Sequence, residues 1–230
     1  MGAQWKHAGR VEAGNRKGAL FTRLAKEIIV AAKMGDPNPE NNARLRAAVE
    51  AARKQSMTRD TIERSIKRGA GLLDPINYDT VTYEGYAPHN VPVIVECLTE
   101  NRNRTAADIR VLFRKGQLGG QGSVQWQFER KGVVEATHPS GMDMFEAAVE
   151  AGAGDVSEDE DMAVFTCEPT ELGAVNAALT GLGWVPSSSE LRWVPKETME
   201  LDGAARDEAT AFLQAIDDND DVHRVYTTLA

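Results

Sequence analysis

The sequence predicts an α+β protein, with an N-terminal three-helix domain followed by two ferredoxin-like α/β sandwich domains, one inserted in the other. Three observations lead there. Apolar residues recur at three- and four-residue spacing up to Ile66, and the pattern changes to strand-like alternation beyond Asp74-Pro75. The order of elements between residues 134 and 203 is close to βαββαβ, the ferredoxin-like pattern. Charge divides the chain in the same places: residues 1–71 hold 15 basic and 7 acidic side chains, whereas residues 134–205 hold 2 and 15. The overall net charge of −9 is therefore the sum of a basic head and an acidic body.

The first helix spans Gly18 to Met34, where Leu20, Leu24, Ile28 and Ala31 form one stripe. Gly35–Pro39 breaks it. A second helix runs from about Glu40 to Gln55, with Leu45, Ala48, Val49 and Ala52 on one face. The third is short: Asp60 and Glu63 have capping-box spacing, Ile62 and Ile66 face inward, and Gly69 ends it. Strands follow at Val81–Tyr86 and Pro92–Leu98, then a helix over Thr105–Lys115 capped by Asn103 or Thr105. A glycine-rich loop leads to strands at Val124–Phe128 and Gly132–Ala136. The acidic part supplies helices over Met142–Ala151 and Thr170–Leu182, with strands at Asp155–Val156, Met162–Cys167 and Glu190–Val194. A final helix carries Ala209, Phe212, Leu213 and Ile216, and Val222–Thr227 closes the chain as a strand. That last helix and strand complete the sheet begun before the acidic part. The expected domains are therefore 1–74 (basic, helical), 75–133 with 204–230 (discontinuous α+β), and 134–203 (inserted, acidic, ferredoxin-like).

Catalytic and metal chemistry find little support. The four histidines lie in four separate segments, Cys97 and Cys167 sit in apolar strands without a CxxC, and no GxSxG is present. We therefore expect a protein that is not an enzyme and needs no cofactor or metal. The loop Gly116–Ser123 follows a helix and precedes a strand, the reverse of a phosphate-binding loop, and reads as a turning loop. Ser157–Asp161 lacks the spacing of a calcium loop and reads as a solvated turn. No apolar run approaches the length needed to span a bilayer, and no signal sequence is evident, so a cytoplasmic protein without a membrane partner is expected.

The basic head carries the functional signal. Trp5, Lys6, His7, Arg10, Arg16 and Lys17 form a glycine-rich cationic arm with one aromatic ring, suited to pairing with phosphates and stacking on a base. Arg23 adds a cation to the first helix. Arg64, Lys67 and Arg68 lie at i, i+3 and i+4, opposite Ile62 and Ile66. Beyond the head, Arg102 and Arg104 stand near a helix start, where they oppose the helix dipole, and an anionic partner would supply a reason. No recognition helix with base-reading side chains is evident, so either DNA or irregular RNA fits.

The stretches LFTRLAKEI (20–28), NARLRAAVEAA (42–52), MTRDTIERSIKRGAG (57–71), YEGYAP (83–88), VECLTENRNRT (95–105) and GSVQWQF (122–128) resemble the YebC/PmpR family in order and along the whole chain. The resemblance implies a helical N-terminal domain with two α/β domains, one inserted in the other, and a DNA-binding transcriptional regulator. It also implies an alternative. A mitochondrial relative is a translational activator of cytochrome oxidase, and bacterial members are linked to ribosomes stalled on proline-rich sequence. Under that alternative the head would meet ribosomal RNA, and under either the acidic domain is open to a protein partner. Two departures from the family pattern fall in segments placed to touch nucleic acid: Gln4-Trp5-Lys6 with Glu12–Lys17 at the N-terminus, and a shortened loop at Gly116–Gly122.

Overall fold

The computed structural model describes residues 13–74, 76–138, 141–159 and 162–230, with side chains from Leu20 onward. Seven α-helices and eight strands are present among them, divided between two four-stranded sheets, so the chain is α+β. It forms two compact units: Glu129–Val194 is one, and the segments through Phe128 and from Pro195 form the other.

Helix α1 (Ala13–Met34) packs with α2 (Ala43–Lys54) and α3 (Arg59–Gly69) around Ile28, Ala31, Leu45, Ala48, Val49, Ala52 and Ile62. Small residues on α1 and α2 let the helices approach closely. At Gly69 a Cβ would stand 2.4 Å from the Ile29 carbonyl oxygen, so this glycine serves helix contact as well as helix ending. The left-handed residue beyond α3 is Gly71, with φ 73°. Helix starts differ from the expected caps. Asn42 caps α2 and Thr58 caps α3, each accepting from the amide three residues on. Asp60 instead lies in the first turn of α3, where its charge suits the dipole, and Glu63 pairs with Arg59.

The first sheet has the order β3-β1-β2-β8, built from β1 (Asp79–Ala87), β2 (Val91–Thr99), β3 (Gln117–Leu118) and β8 (Val222–Thr227). Its central β1–β2 pair is an antiparallel hairpin, turned by His89 and Asn90 at positive φ. On β2, Val91, Val93, Val95 and Cys97 face helices α4 (Arg102–Leu112) and α7 (Gly203–Asp217) through Ile109, Phe113, Phe212, Leu213 and Ile216. Helix α4 starts earlier than its apolar spacing indicated because Asn101 caps it; Thr105 is fully buried inside it. The final helix and strand thus join the sheet begun by β1 and β2.

The second sheet has the order β5-β6-β4-β7, from β4 (Phe128–Thr137), β5 (Asp155–Asp159), β6 (Met162–Cys167) and β7 (Val185–Pro195). With α5 (Met144–Ala151) and α6 (Leu172–Gly181) this gives βαββαβ with the first and third strands adjacent in the middle, the ferredoxin-like arrangement. Phe165, Val134, Leu179 and Trp184 centre its core.

Two expectations about strands are corrected. Val124–Phe128 is not a strand: a 3₁₀ turn occupies Gln125–Gln127, and the buried pair Val124 and Phe128 mimicked strand patterning. The segment Ser157–Asp159 belongs to strand β5, not to a turn; residues 160 and 161 lie outside the described residues. As β5 is an edge strand, its charges discourage pairing with another chain.

Candidate nucleic-acid interface

Helix α3 turns Ile62 and Ser65 into the bundle, and Ser65 Oγ donates to the Thr61 carbonyl at 2.8 Å. The opposite face then carries Arg64 and Lys67 in solvent and Arg68 half-buried. Among the described residues none of the three has an ion pair or side-chain hydrogen bond, and the buried Arg68 Nε has no partner. Lys67 and Arg68 also suit the C-terminal end of the helix dipole. Arg53 and Lys54 similarly occupy the last turn of α2 and are exposed.

Other cations of the head are held within the protein. Arg44 donates to Glu27 at 2.8 Å, Arg59 to Glu63 at 2.7 Å, and Arg46 to the carbonyls of Pro39 and Glu40. Arg23 forms a 3.1 Å ion pair with Asp217 at the end of α7, with both side chains largely buried. Lys26 is buried. Its three ammonium hydrogens satisfy the Leu98 carbonyl (3.0 Å), the Asp220 carbonyl (2.8 Å) and Asp221 Oδ1 (2.9 Å).

Asp221 also accepts from Arg104 (2.9 Å) and Thr105 (2.8 Å). Burial alone would raise its pKa, but hydrogen bonds from Lys26, Arg104 and Thr105 outweigh burial and hold the carboxyl below its ordinary range. Glu27 behaves alike: burial opposes its charge, yet His223 and Arg44 bring its pKa well below the usual value. These contacts fasten the helical head to the sheet of β1, β2, β3 and β8.

The same contacts supply a reason for the arginines at the start of α4. Arg102 pairs with Asp79 at 2.8 Å, and Arg104 pairs with Asp221, so the unfavourable dipole position is compensated inside the chain without an external anion. Helix α1 starts at Ala13, not Gly18, so Arg16 and Lys17 belong to it rather than to a cationic arm; their side chains are outside the described residues, as are Trp5, Lys6, His7 and Arg10 altogether.

The glycine-rich loop has most of its amides occupied from within the chain. Buried Glu84 accepts from the backbone N–H groups of Gly122 (2.7 Å), Val124 (3.0 Å) and Gln125 (3.0 Å), and Gly119 N–H bonds the Glu84 carbonyl at 2.8 Å. The protein's own carboxylate sits where a phosphate would have to bind. Sequence reading did not anticipate this anchor or the buried roles of Lys26 and Asp221, because each depends on residues far apart in the chain. Cys97 and Cys167 are buried free thiols; burial, then the nearby Asp221 charge, pushes the Cys97 pKa up to about 12, leaving an unreactive group. Among the described residues, no group of three His, Cys, Asp or Glu side chains is placed to hold a metal ion, and no helix is long and apolar enough to cross a membrane.

Comparison with known proteins places this arrangement. Residues 3–72 match the model of the TACO1/YebC N-terminal domain, and residues 78–229 match that of the TACO1/YebC second and third domain. The chain belongs to the TACO1/YebC family. One family relative, from Pseudomonas syringae pv. tomato, is named "Probable transcriptional regulatory protein"; it is 52% identical, with all of both chains covered. Another, "Probable transcriptional regulatory protein Bd1964" from Bdellovibrio bacteriovorus, is 49% identical over all of both chains. The crystal structure of a conserved hypothetical protein from Aquifex aeolicus is similar, with a TM-score of 0.86 and 39% identity, covering 99% of this chain and 96% of that one.

Proposed function

We propose that this protein is a non-enzymatic, nucleic-acid-binding regulator of gene expression, and specifically a transcriptional regulator that binds DNA through its basic helical head. The observation that carries the reading is the face of α3. There Arg64, Lys67 and Arg68 have no ion pair or side-chain hydrogen bond among the described residues, whereas Arg23, Arg44 and Arg59 are paired. Cations left unpaired on a rigid helix suit phosphates, whose contacts position a protein without themselves reading sequence. Trp5, Lys6, His7 and Arg10, with Arg16 and Lys17 on α1, would extend the contact, and the names of the relatives support a regulatory role. Arg23 and Arg104 have intramolecular duties first. The acidic unit, with Phe145 and Val149 exposed one turn apart beside Glu146 and Glu150, would repel competing polyanions and offer a face to a cationic protein partner.

The test is duplex-DNA binding by fluorescence anisotropy across a salt series. Affinity should fall steeply with salt, and the Arg64→Ala/Lys67→Ala variant should bind more weakly, with its log–log slope reduced by about 2. An unchanged affinity and slope would remove α3 from the interface.

A further inference from the structure

Trp126 stands 66% exposed on the 3₁₀ turn Gln125–Gln127, yet the turn that carries it is firmly held. Glu84 binds three amides of the loop, as described, and Val124 and Phe128 are buried on either side of the turn. Tyr86 Oη donates to the Ser123 carbonyl at 3.3 Å, and the Trp126 indole N–H donates to the same oxygen at 3.1 Å. A Cβ on Gly119 would meet Ser123 Oγ at 2.3 Å, so the loop closes tightly on itself. With its only hydrogen-bond donor engaged, the indole offers a partner its π-surface.

The surroundings select the partner. From Gly116 to Phe128 the sequence carries no charged residue, and Gln117, Gln121 and Gln125 are exposed amides of the same segment. Immediately before this segment come Arg110, Arg114 and Lys115, all exposed and without an ion pair among the described residues. Lys115 is four residues from Gly119, a span of at most about 14 Å, and Gly119 packs against Ser123, whose carbonyl accepts from the Trp126 indole. An immobilised aromatic face on a segment that unpaired cations lead into is a combination that suits single-stranded nucleic acid: bases stack on the ring while phosphates meet the charges.

We propose that Trp126 is a stacking platform for an unpaired nucleobase, with Arg114 and Lys115 receiving the adjoining phosphates and Gln121 and Gln125 available to the base edges. This rests on the nucleic-acid reading above but assigns a second site, on the α+β part and selective for single strands. It also gives the glycine-rich loop a task, that of holding a ring in the open at little entropic cost on binding.

The experiment uses the full chain with labelled oligo(U), oligo(dT) and a duplex of mixed sequence. Trp126→Ala should weaken single-strand binding by about 5- to 100-fold. Trp126→Phe should recover much of that loss, and duplex binding should stay as in the unsubstituted protein. Because the ring is exposed, Trp126→Ala should melt within a few degrees of the unsubstituted chain, a control that separates lost stacking from lost fold. Single-strand binding unchanged by Trp126→Ala overturns the proposal, as does an equal loss on the duplex or failure of the unsubstituted chain to bind either single strand. Saturable binding of a proline-rich peptide abolished by Trp126→Ala, without an effect on oligonucleotides, would assign the ring to a polypeptide and also overturn it. The α3 reading fails separately, by duplex binding that ignores Arg64→Ala/Lys67→Ala.

Discussion

The ammonium of Lys26 lies 2.9 Å from the carboxylate of Asp221, and both side chains are buried. A cation from the most basic part of the chain is thereby directed inward, joining α1 to the start of β8. The bond forms together with the Arg23–Asp217 pair, also with its cation on α1, and the Glu27–His223 contact, in which α1 supplies the carboxylate, so three contacts cross the same seam.

Removing one member of the central pair should be more harmful than its place among surface-type residues suggests. Asp221→Ala leaves Lys26 buried without a counter-ion and is expected to lower stability by about 3–5 kcal/mol in urea denaturation. Replacing both residues by apolar ones of similar size should recover part of the loss. Equal stabilities for the single variant and the parent would show that the seam does not depend on this pair.

Acid should loosen the same seam. Asp221 and Glu27 both have folded pKa values below their ordinary ones, so their stabilising contribution is complete above the unfolded carboxyl pKa of about 4. It is lost as pH falls from there through the depressed folded values. Thermal melts should therefore be nearly insensitive to these groups above about pH 5 and decline below about pH 4. Asp221→Asn should lower stability at neutral pH and make the acid decline shallower; an unaltered decline would exclude Asp221 from it.

Glu84→Gln tests the loop anchor. The amide retains one acceptor oxygen, but its NH₂ group faces backbone donors that the carboxylate satisfied. We expect a loss of about 1–3 kcal/mol and faster hydrogen exchange at Gly122, Val124 and Gln125. Exchange that accelerates elsewhere but not at these amides would contradict the anchor.

Gly69→Ala and Gly71→Ala separate two uses of glycine. At Gly69 the alanine methyl would overlap the Ile29 carbonyl, so overpacking of about 1–3 kcal/mol should exceed the gain of about 1 kcal/mol in helix propensity. At Gly71 no heavy atom lies within 4 Å, and the expected cost is that of a positive φ alone, about 1 kcal/mol. Gly69→Ala should thus melt lower than the parent despite being the better helix former; a higher melting temperature would mean that α1 and α3 shift apart at little cost.

Local periodicity made most of the elements legible. The spacing of Leu45, Ala48, Val49 and Ala52 located α2, and the largely buried run of β2 was visible in Pro92–Leu98. The α3 cations could be assigned to one face from spacing alone, and the structure leaves them on the face opposite Ile62. Errors arose where a tertiary contact overrode a local pattern. Val124 and Phe128 are buried like strand residues, but Glu84 captures the amides of Val124 and Gln125, Gln127 N–H turns back to the Val124 carbonyl, and no ladder forms over the turn.

The sequence by itself determined the α+β class, the succession of helices and strands, and the separation of a basic head from an acidic body, because periodicity and charge count are properties of neighbours along the chain. Tertiary structure decided which charges are paired within the chain. Arg23 and Arg104 read as cations available to a partner until Asp217 and Asp221, more than a hundred residues away, are brought against them. Likewise, only the fold shows a carboxylate filling the glycine-rich loop and an indole left open above it. Pairing between distant charges is set by which elements pack together, and one-dimensional spacing does not carry that information.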